Sequence, residues 1–310
     1  MSFSSGLNPN VVKTRLDDVF YQEFNGEQLP QLATAQDPNV FQQETTDRQA
    51  EIQEVFKGSG YWEERAEEQD VSSGNARINN LITFTVTNFA KSEDIPKNMF
   101  DDNLHSAVNK MIGDFGRTAR VTRDKNAFAT YRNSFTTALT ADGSTLFSDS
   151  HTNLNGDTVD NKLTAVLTTT SLEDAIVKLG EQLAQDGTIS GHMPATLLVP
   201  MKLFKEAVEL TDSQLTPDSA NNAVNWISSK YGIMVKTSPF LGATAGGSDT
   251  AWFLLAKNHS ISRWVRQAVE TTLVDWKIQR NNNYIYKGEF REVVGAISYE
   301  GSVGSTGVGA

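Results

Sequence analysis

The 310 residues suffice for one large domain or two of ordinary size. There is no cysteine, which excludes disulfides, thiolate metal sites and thiol nucleophiles, and the four scattered histidines (His105, His151, His192, His259) show no ligand spacing. A net charge of −11 argues against sequence-specific gripping of nucleic acid, which needs a basic surface, and no secretory signal or membrane-length apolar run is visible.

Met1 to Gln43 reads as an extended arm, with a short helix over Leu7 to Phe20 that gathers Val11, Val12, Leu16, Val19 and Phe20 on one side. Its apolar residues are too thinly spread to fold alone, so the arm is expected to lie on its own subunit or on another. Glu44 to Phe89 reads as an excursion. Its first part carries Glu44, Asp47, Glu51, Glu54, Glu63, Glu64, Glu67, Glu68 and Asp70 against Arg48, Lys57 and Arg65. Ile82, Phe84 and Val86 then alternate with Thr83, Thr85 and Thr87, which predicts a return strand over Leu81 to Phe89. A hairpin this long has no core of its own.

From Pro96 to Thr137 the pattern is helical. Ser92 and Asp94 are the candidate caps, Pro96 suits a first helical position, and Leu104, Val108, Met111, Phe115 and Ala119 make one apolar face. A continuous helix to Tyr131 would be ~50 Å long, and Gly113 or Gly116 are where it would break. Arg117, Arg120 and Arg123 repeat every three residues, near Lys110, Lys125 and Arg132. Opposite charge on the excursion and on this helix suggests that Glu63, Glu64, Glu67 and Glu68 meet Arg117, Arg120 and Arg123 across an interface between subunits.

A turn-rich loop, Thr140 to Asn153, leads into a second region. Ser171 to Ala184 reads as an amphipathic helix with a capping box of Ser171 and Asp174. Ala195 to Val199 reads as a buried strand, Pro200 begins a further helix, and Ser219 to Lys230 is a third helix closed by Gly232. Ile233 to Lys236 and Ala251 to Ala256 read as strands, completing an α/β lobe. Ile261 to Gln267, Glu270 to Gln279 and Tyr284 to Tyr299 are strands expected to return to the long helix. Gly301 to Ala310, with four glycines, reads as a flexible tail or loose strand end.

Arm, acidic excursion, long helix, α/β lobe and returning strands, in that order, resemble the major capsid proteins of tailed bacteriophages, and within them the Mu-like major head subunit family. Two stretches carry the resemblance. One is Asp142-Gly143-Ser144-Thr145-Leu146-Phe147-Ser148-Asp149-Ser150-His151-Thr152-Asn153, similar to that family's Asp-Gly-x-x-Leu-Phe-x-x-x-His-x-Asn loop. The other is Tyr61 to Asp102, where a Gly-rich turn, an acidic segment, an alternating strand and an acidic helix start follow in the family's order. The resemblance implies an α+β fold of the Hong Kong 97 type, with an N-terminal arm over 1–43 and an extended loop over 44–89. The spine helix of a peripheral domain takes 90–140, an α/β axial domain 141–260, and the peripheral domain's returning strands with a C-terminal tail 261–310.

The function so implied is that of a major capsid protein of a tailed phage. Hexamers and pentamers of one chain would form an icosahedral shell around double-stranded DNA that is touched weakly and without sequence specificity. The partners implied are a separate scaffold, a portal and an optional decoration protein. No cofactor, metal, membrane or catalytic residue is implied. Assembly would take place in the host cytoplasm and the product would reside in the virion. Lys57 sits where a cross-linking relative carries its loop lysine, but nothing identifies a partner asparagine. The rival readings are an encapsulin-like cellular shell around a cargo enzyme, a ring- or tube-forming tail or baseplate protein, and a hydrolase using Ser148, Asp149 and His151. Residues so close in sequence rarely reach triad geometry, and the simpler expectation is that Asp142 and Gly143 turn while His151 hydrogen-bonds within the loop.

Overall fold

The structure is a computed structural model that describes residues 9–26, 29–71, 74, 77–102, 104–213, 225–279 and 281–308. Leu7 and residues 219–224 of the third expected lobe helix lie outside them. In chain order, α1 (Pro9–Phe24) and β1 (Gln42–Thr45) form the arm, and β2 (Ala50–Lys57) with β3 (Arg77–Thr85) forms a hairpin. Then come β4 (Thr87–Pro96), α2 (Lys97–Asp101), α3 (His105–Ala127) and α4 (Ala129–Arg132). The lobe holds β5 (His151–Thr152), β6 (Thr158–Val159), β7 (Lys162–Leu163), α5 (Thr169–Gly180), β8 (Pro194–Pro200), α6 (Phe204–Asp212), α7 (Trp226–Lys230), β9 (Met234–Ser238) and β10 (Trp252–Ala256). The long strands β11 (Ile261–Val274) and β12 (Asn283–Ala296) and the short β13 (Ser302–Ser305) close the chain.

Two sheets organise these parts. One has the order β1-β11-β12-β4, with β1 parallel to β11 and the rest antiparallel. Helices α1 and α3 cover it, through a core of Leu16, Phe20, Ile112, Phe115, Tyr284 and Tyr286. The other has the order β7-β13-β10-β8-β9. Leu198, Phe253 and Leu255 face a core shared with Phe41, Phe128, Tyr131 and Phe147, while Leu197, Val199, Trp252 and Leu254 face α5, α6 and α7. Burial on both faces is why β8 and β10 read as unbroken apolar runs.

The arm expectation holds in kind: α1 buries Val12, Leu16, Phe20 and Phe24, one residue per turn, against its own subunit. The long helix differs. It breaks between Asp101 and His105, not at a glycine, because α2 is anchored by Phe100 against Tyr284 (5.2 Å) while α3 lies against α1. Asp101 and Asp102 favour a turn there. Ser92 and Asp94 lie within β4, and Pro96 ends that strand. The helix that remains is ~35 Å long. Its buried stripe is Val108, Ile112, Phe115 and Gly116; Leu104 is exposed and Met111 half-buried. Gly116 sits at the crossing: a Cβ there would lie 2.4 Å from the Phe20 carbonyl oxygen, so the glycine is what lets the two backbones touch.

Four further expectations are corrected. The strand over 81–89 is two strands that part at Val86, where the chain leaves the hairpin for the sheet. The capping box of α5 uses Thr168 and Ser171 rather than Ser171 and Asp174. Of the residues expected as a flexible tail or loose strand end, Ser302–Ser305 form β13, which is buried between β10 and β7, and residues 309–310 lie outside the described residues. Gly304 is required in β13 because a Cβ would lie 2.5 Å from the Phe147 ring. The expected strands Ile261–Gln267 and Glu270–Gln279 are one strand, Ile261–Val274, with two register shifts, and the last residues of the second form a 3-10 turn at Trp276–Ile278 instead.

Candidate functional site

The β2–β3 hairpin has two unlike faces. On the inner face Val55 is buried and Phe84 stacks on Trp264, with ring centroids 4.9 Å apart. Trp264 in turn donates from Nε1 to Glu44 (2.7 Å), which fixes the root of the excursion to β11. On the outer face, Ile52 stands opposite Thr83, Glu54 opposite Leu81, and Phe56 opposite Ile78. Ile52, Phe56, Ile78 and Leu81 are 49–60% exposed. Four large apolar side chains on one face of a two-stranded ribbon are an interaction surface rather than scattered exposure. Beyond β2 the chain touches its own lobe: Gly60 donates to Asp186 (3.0 Å), Ile189 donates to the Tyr61 hydroxyl (3.0 Å), and Lys57 donates to Asn155 (3.3 Å). Trp62, next to Tyr61, is 94% exposed.

Glu63, Glu64, Glu67 and Glu68 follow on that excursion, all exposed. The structure does not bring them to the arginines of α3 within the subunit. Arg117 pairs with Asp114 on its own helix (2.6 Å), and Arg120 donates to the Glu23 carbonyl (3.0 Å). Arg123 is a correction to the expected charge stripe. It is buried, with its guanidinium over the Phe24 ring at 4.7 Å, so it faces the arm and not a neighbour.

Arg123 belongs to an ionic group that periodicity could not reveal, because its members come from four places in the chain. Asp124 accepts from the Ala35 N–H (3.0 Å). Arg263 on β11 clamps Glu292 on β12 through Nε (2.9 Å) and Nη2, and reaches Gln43 through Nη1 (2.9 Å). Burial lowers the Arg123 pKa, against the opposing pull of Asp124, and raises those of Asp124 and Glu292. The group ties arm, helix and sheet together at one point.

The Asp142–Asn153 loop is a structural clasp. His151 is fully buried: Nδ1 meets Asp142 Oδ2 (2.8 Å) and Nε2 meets the Leu146 carbonyl (3.2 Å). Burial acts to raise the Asp142 pKa, but hydrogen bonds from His151, Thr140 and the Ser144 N–H outweigh it and hold the carboxyl below the usual carboxylate range. Leu146 and Phe147 are thereby pinned in the core. Ser148 Oγ pairs with Ser150, not with His151, whose two nitrogens are already engaged, so the Ser148, Asp149 and His151 set is not assembled as a triad. Among the described residues no group of three or more His, Asp or Glu side chains is placed to hold a metal, and no helix is long and apolar enough to cross a membrane.

An arm laid on its own subunit, an outreaching hairpin with an apolar outer face, a helix along a long sheet and a separate α/β lobe together define a shell-building subunit of the Hong Kong 97 type. The chain belongs to the phage capsid protein family, whose sequence model matches residues 82–303. Solved structures agree in fold. The capsid of cyanophage P-SCSP1u superposes with a TM-score of 0.57 at 10% identity, over 90% of this chain and 90% of that one. The virus-like particle from Pyrococcus furiosus gives 0.55 at 8% identity, over 94% and 98%. The capsid of Myoviridae phage XM1 gives 0.50 at 12% identity, over 91% and 96%. No curated protein sequence matches the chain.

Proposed function

We propose that this chain is the major head subunit of a tailed phage, building a closed icosahedral shell of hexamers and pentamers in which the outer face of the β2–β3 hairpin is covered by a second copy. The observation that carries this reading is the exposure of Ile52, Phe56, Ile78 and Leu81 together on a ribbon whose other face is packed. Covering apolar area at ~25 cal/mol per Å² is worth far more than surface ion pairs at ~0.2–1 kcal/mol each. The glutamates at 63, 64, 67 and 68 with Arg117 and Arg120 then act in register and partner choice. The family match favours a phage head over an encapsulin-like shell. The closer likeness to Mu-like head subunits rests on the Asp142–Asn153 loop. Under this reading the shell meets its DNA weakly, as a net charge of −11 requires, and works with a separate scaffold, a portal and an optional decoration protein. It assembles in the host cytoplasm and ends in the virion.

The test is a pair of surface variants, Phe56→Glu and Leu81→Glu. Both side chains are exposed, so the subunit should keep its circular dichroism and melting temperature while particle yield falls at least about tenfold. Normal particle yield from both variants would refute the role given to this face.

A further inference from the structure

β2 ends at Lys57, and the chain then crosses two turns of its own lobe that hold together without it. In one turn, Asn153 Oδ1 accepts from the N–H groups of Asn155 (3.0 Å) and Asp157 (2.8 Å). In the other, Asp186 Oδ1 accepts from the Thr188 N–H (3.0 Å) and from its hydroxyl (2.6 Å). Asn153 Nδ2 joins the two by donating to the Ala184 carbonyl (3.2 Å). Gly187, at φ +81°, lets them close up, because a Cβ there would lie 2.9 Å from Asn155 Nδ2 and from Asp157 Oδ2. The lobe thus offers a preformed platform of two adjoining turns.

The excursion is fitted to that platform. Lys57 donates to Asn155 Oδ1 (3.3 Å), Gly60 donates to Asp186 Oδ2 (3.0 Å), and the Tyr61 hydroxyl accepts from the Ile189 N–H (3.0 Å). Asp186 therefore divides its two oxygens, one to the lobe and one to the excursion. Gly58 is not among the positive-φ glycines, so its backbone does not call for glycine. Closeness does: a Cβ there would lie 2.3 Å from Asp186 Oδ2. The returning limb passes the same point, since a Cβ on Gly74 would lie 3.1 Å from that of Ser59.

A two-stranded hairpin is marginal by itself. The root of this one is fixed at Trp264, through Phe84 and Glu44; the contacts at 57–61 fix its other end. Ile52, Phe56, Ile78 and Leu81 stay exposed while those contacts are made, so the contacts do not mask the outer face. Holding a ribbon in one pose before it docks removes the ordering cost from the association. We infer that residues 57–61 are a strap, and that Asp186 is a positioning residue that holds the outer face of the hairpin in the pose a second copy receives. The inference rests on the shell-building role proposed above.

The test begins with the free full-length subunit. Peptides containing Gly60 and Ile189 should be protected from hydrogen exchange in the wild type. Gly58→Val leaves every bond within the two lobe turns in place; it should raise exchange in those peptides at least about fivefold and leave the melting temperature within about 2 °C. The wild type should form closed particles, and in Gly58→Val the concentration at which they appear should rise about threefold or more. Asp186→Ala should act in the same direction, and the double variant should be no worse than the more affected single one, because both act through one contact. Wild-type protein that forms no closed particles would overturn the shell role and this inference together. With wild-type particles formed, the inference alone is overturned by unchanged exchange in Gly58→Val, by a particle threshold that stays the same or falls, or by additive effects in the double variant.

Discussion

His259 gives the fold a defined acid weakness. It is 3% exposed; Nδ1 accepts from the Ile261 N–H (3.2 Å), and Nε2 is buried with no partner. Desolvation lowers its pKa from 6.5 to about 4, against a smaller opposing effect of the Asn39 backbone. The folded state therefore binds fewer protons than the unfolded chain between those values. The associated stability is fully present above about pH 6.5, declines as pH falls towards 4, and loses nothing more below that. At 1.36 kcal/mol per unit, the full loss is about 3 kcal/mol, and most of it has occurred near about pH 4.5. The assay is urea unfolding of the free subunit at neutral pH and near about pH 4.5, in the wild type and in His259→Gln. The glutamine lacks the titration, so its decline should be smaller by ~2–3 kcal/mol, whatever the variant costs at neutral pH. Equal declines in the two proteins would refute the reasoning, because His259 would then carry none of the loss.

Two further outcomes are expected. Gly116→Val places side-chain atoms where a Cβ alone would lie 2.4 Å from the Phe20 carbonyl; it should destabilise the subunit by ~1–3 kcal/mol and expose residues 9–24 to protease, and an uncut arm would argue against the crossing described. Arg117→Glu reverses the charge of an exposed arginine tied only by its own helix neighbour Asp114; it should slow shell assembly at low salt, with partial rescue by Glu67→Arg, and unaltered assembly would remove the proposed contact between glutamates and arginines.

Much of the fold was legible because local rules and tertiary packing agree. The stripe of α1, the two-face-buried strands β8 and β10, and the Gly232 cap with φ +57° all follow from spacing and residue type. What was hidden arose from long-range packing. The apolar face of α3 turns towards Ile112 because α1 crosses at Gly116, and only the crossing tells Ile112 from Met111. A glycine-rich end reads as loose chain, yet Gly304 is small because Phe147 presses on it, and Ser305 donates to the Ala165 carbonyl (2.6 Å). Arg123 sits in the same three-residue rhythm as Arg117 and Arg120, so its burial could not be read from charge; the members of its group are up to 249 positions apart, from Gln43 to Glu292. The loop of Asp142 and His151 was legible in kind, as a self-bonded turn, because its residue types suit turns and local hydrogen bonds.

Under the proposed function, this chain closes into shells by burying the outer face of its hairpin. Electron microscopy of the overproduced protein tests it most directly. Closed particles of uniform diameter are expected, lost in Phe56→Glu and Leu81→Glu. Open rings, tubes of indefinite length, or closed particles that persist in both variants would contradict it.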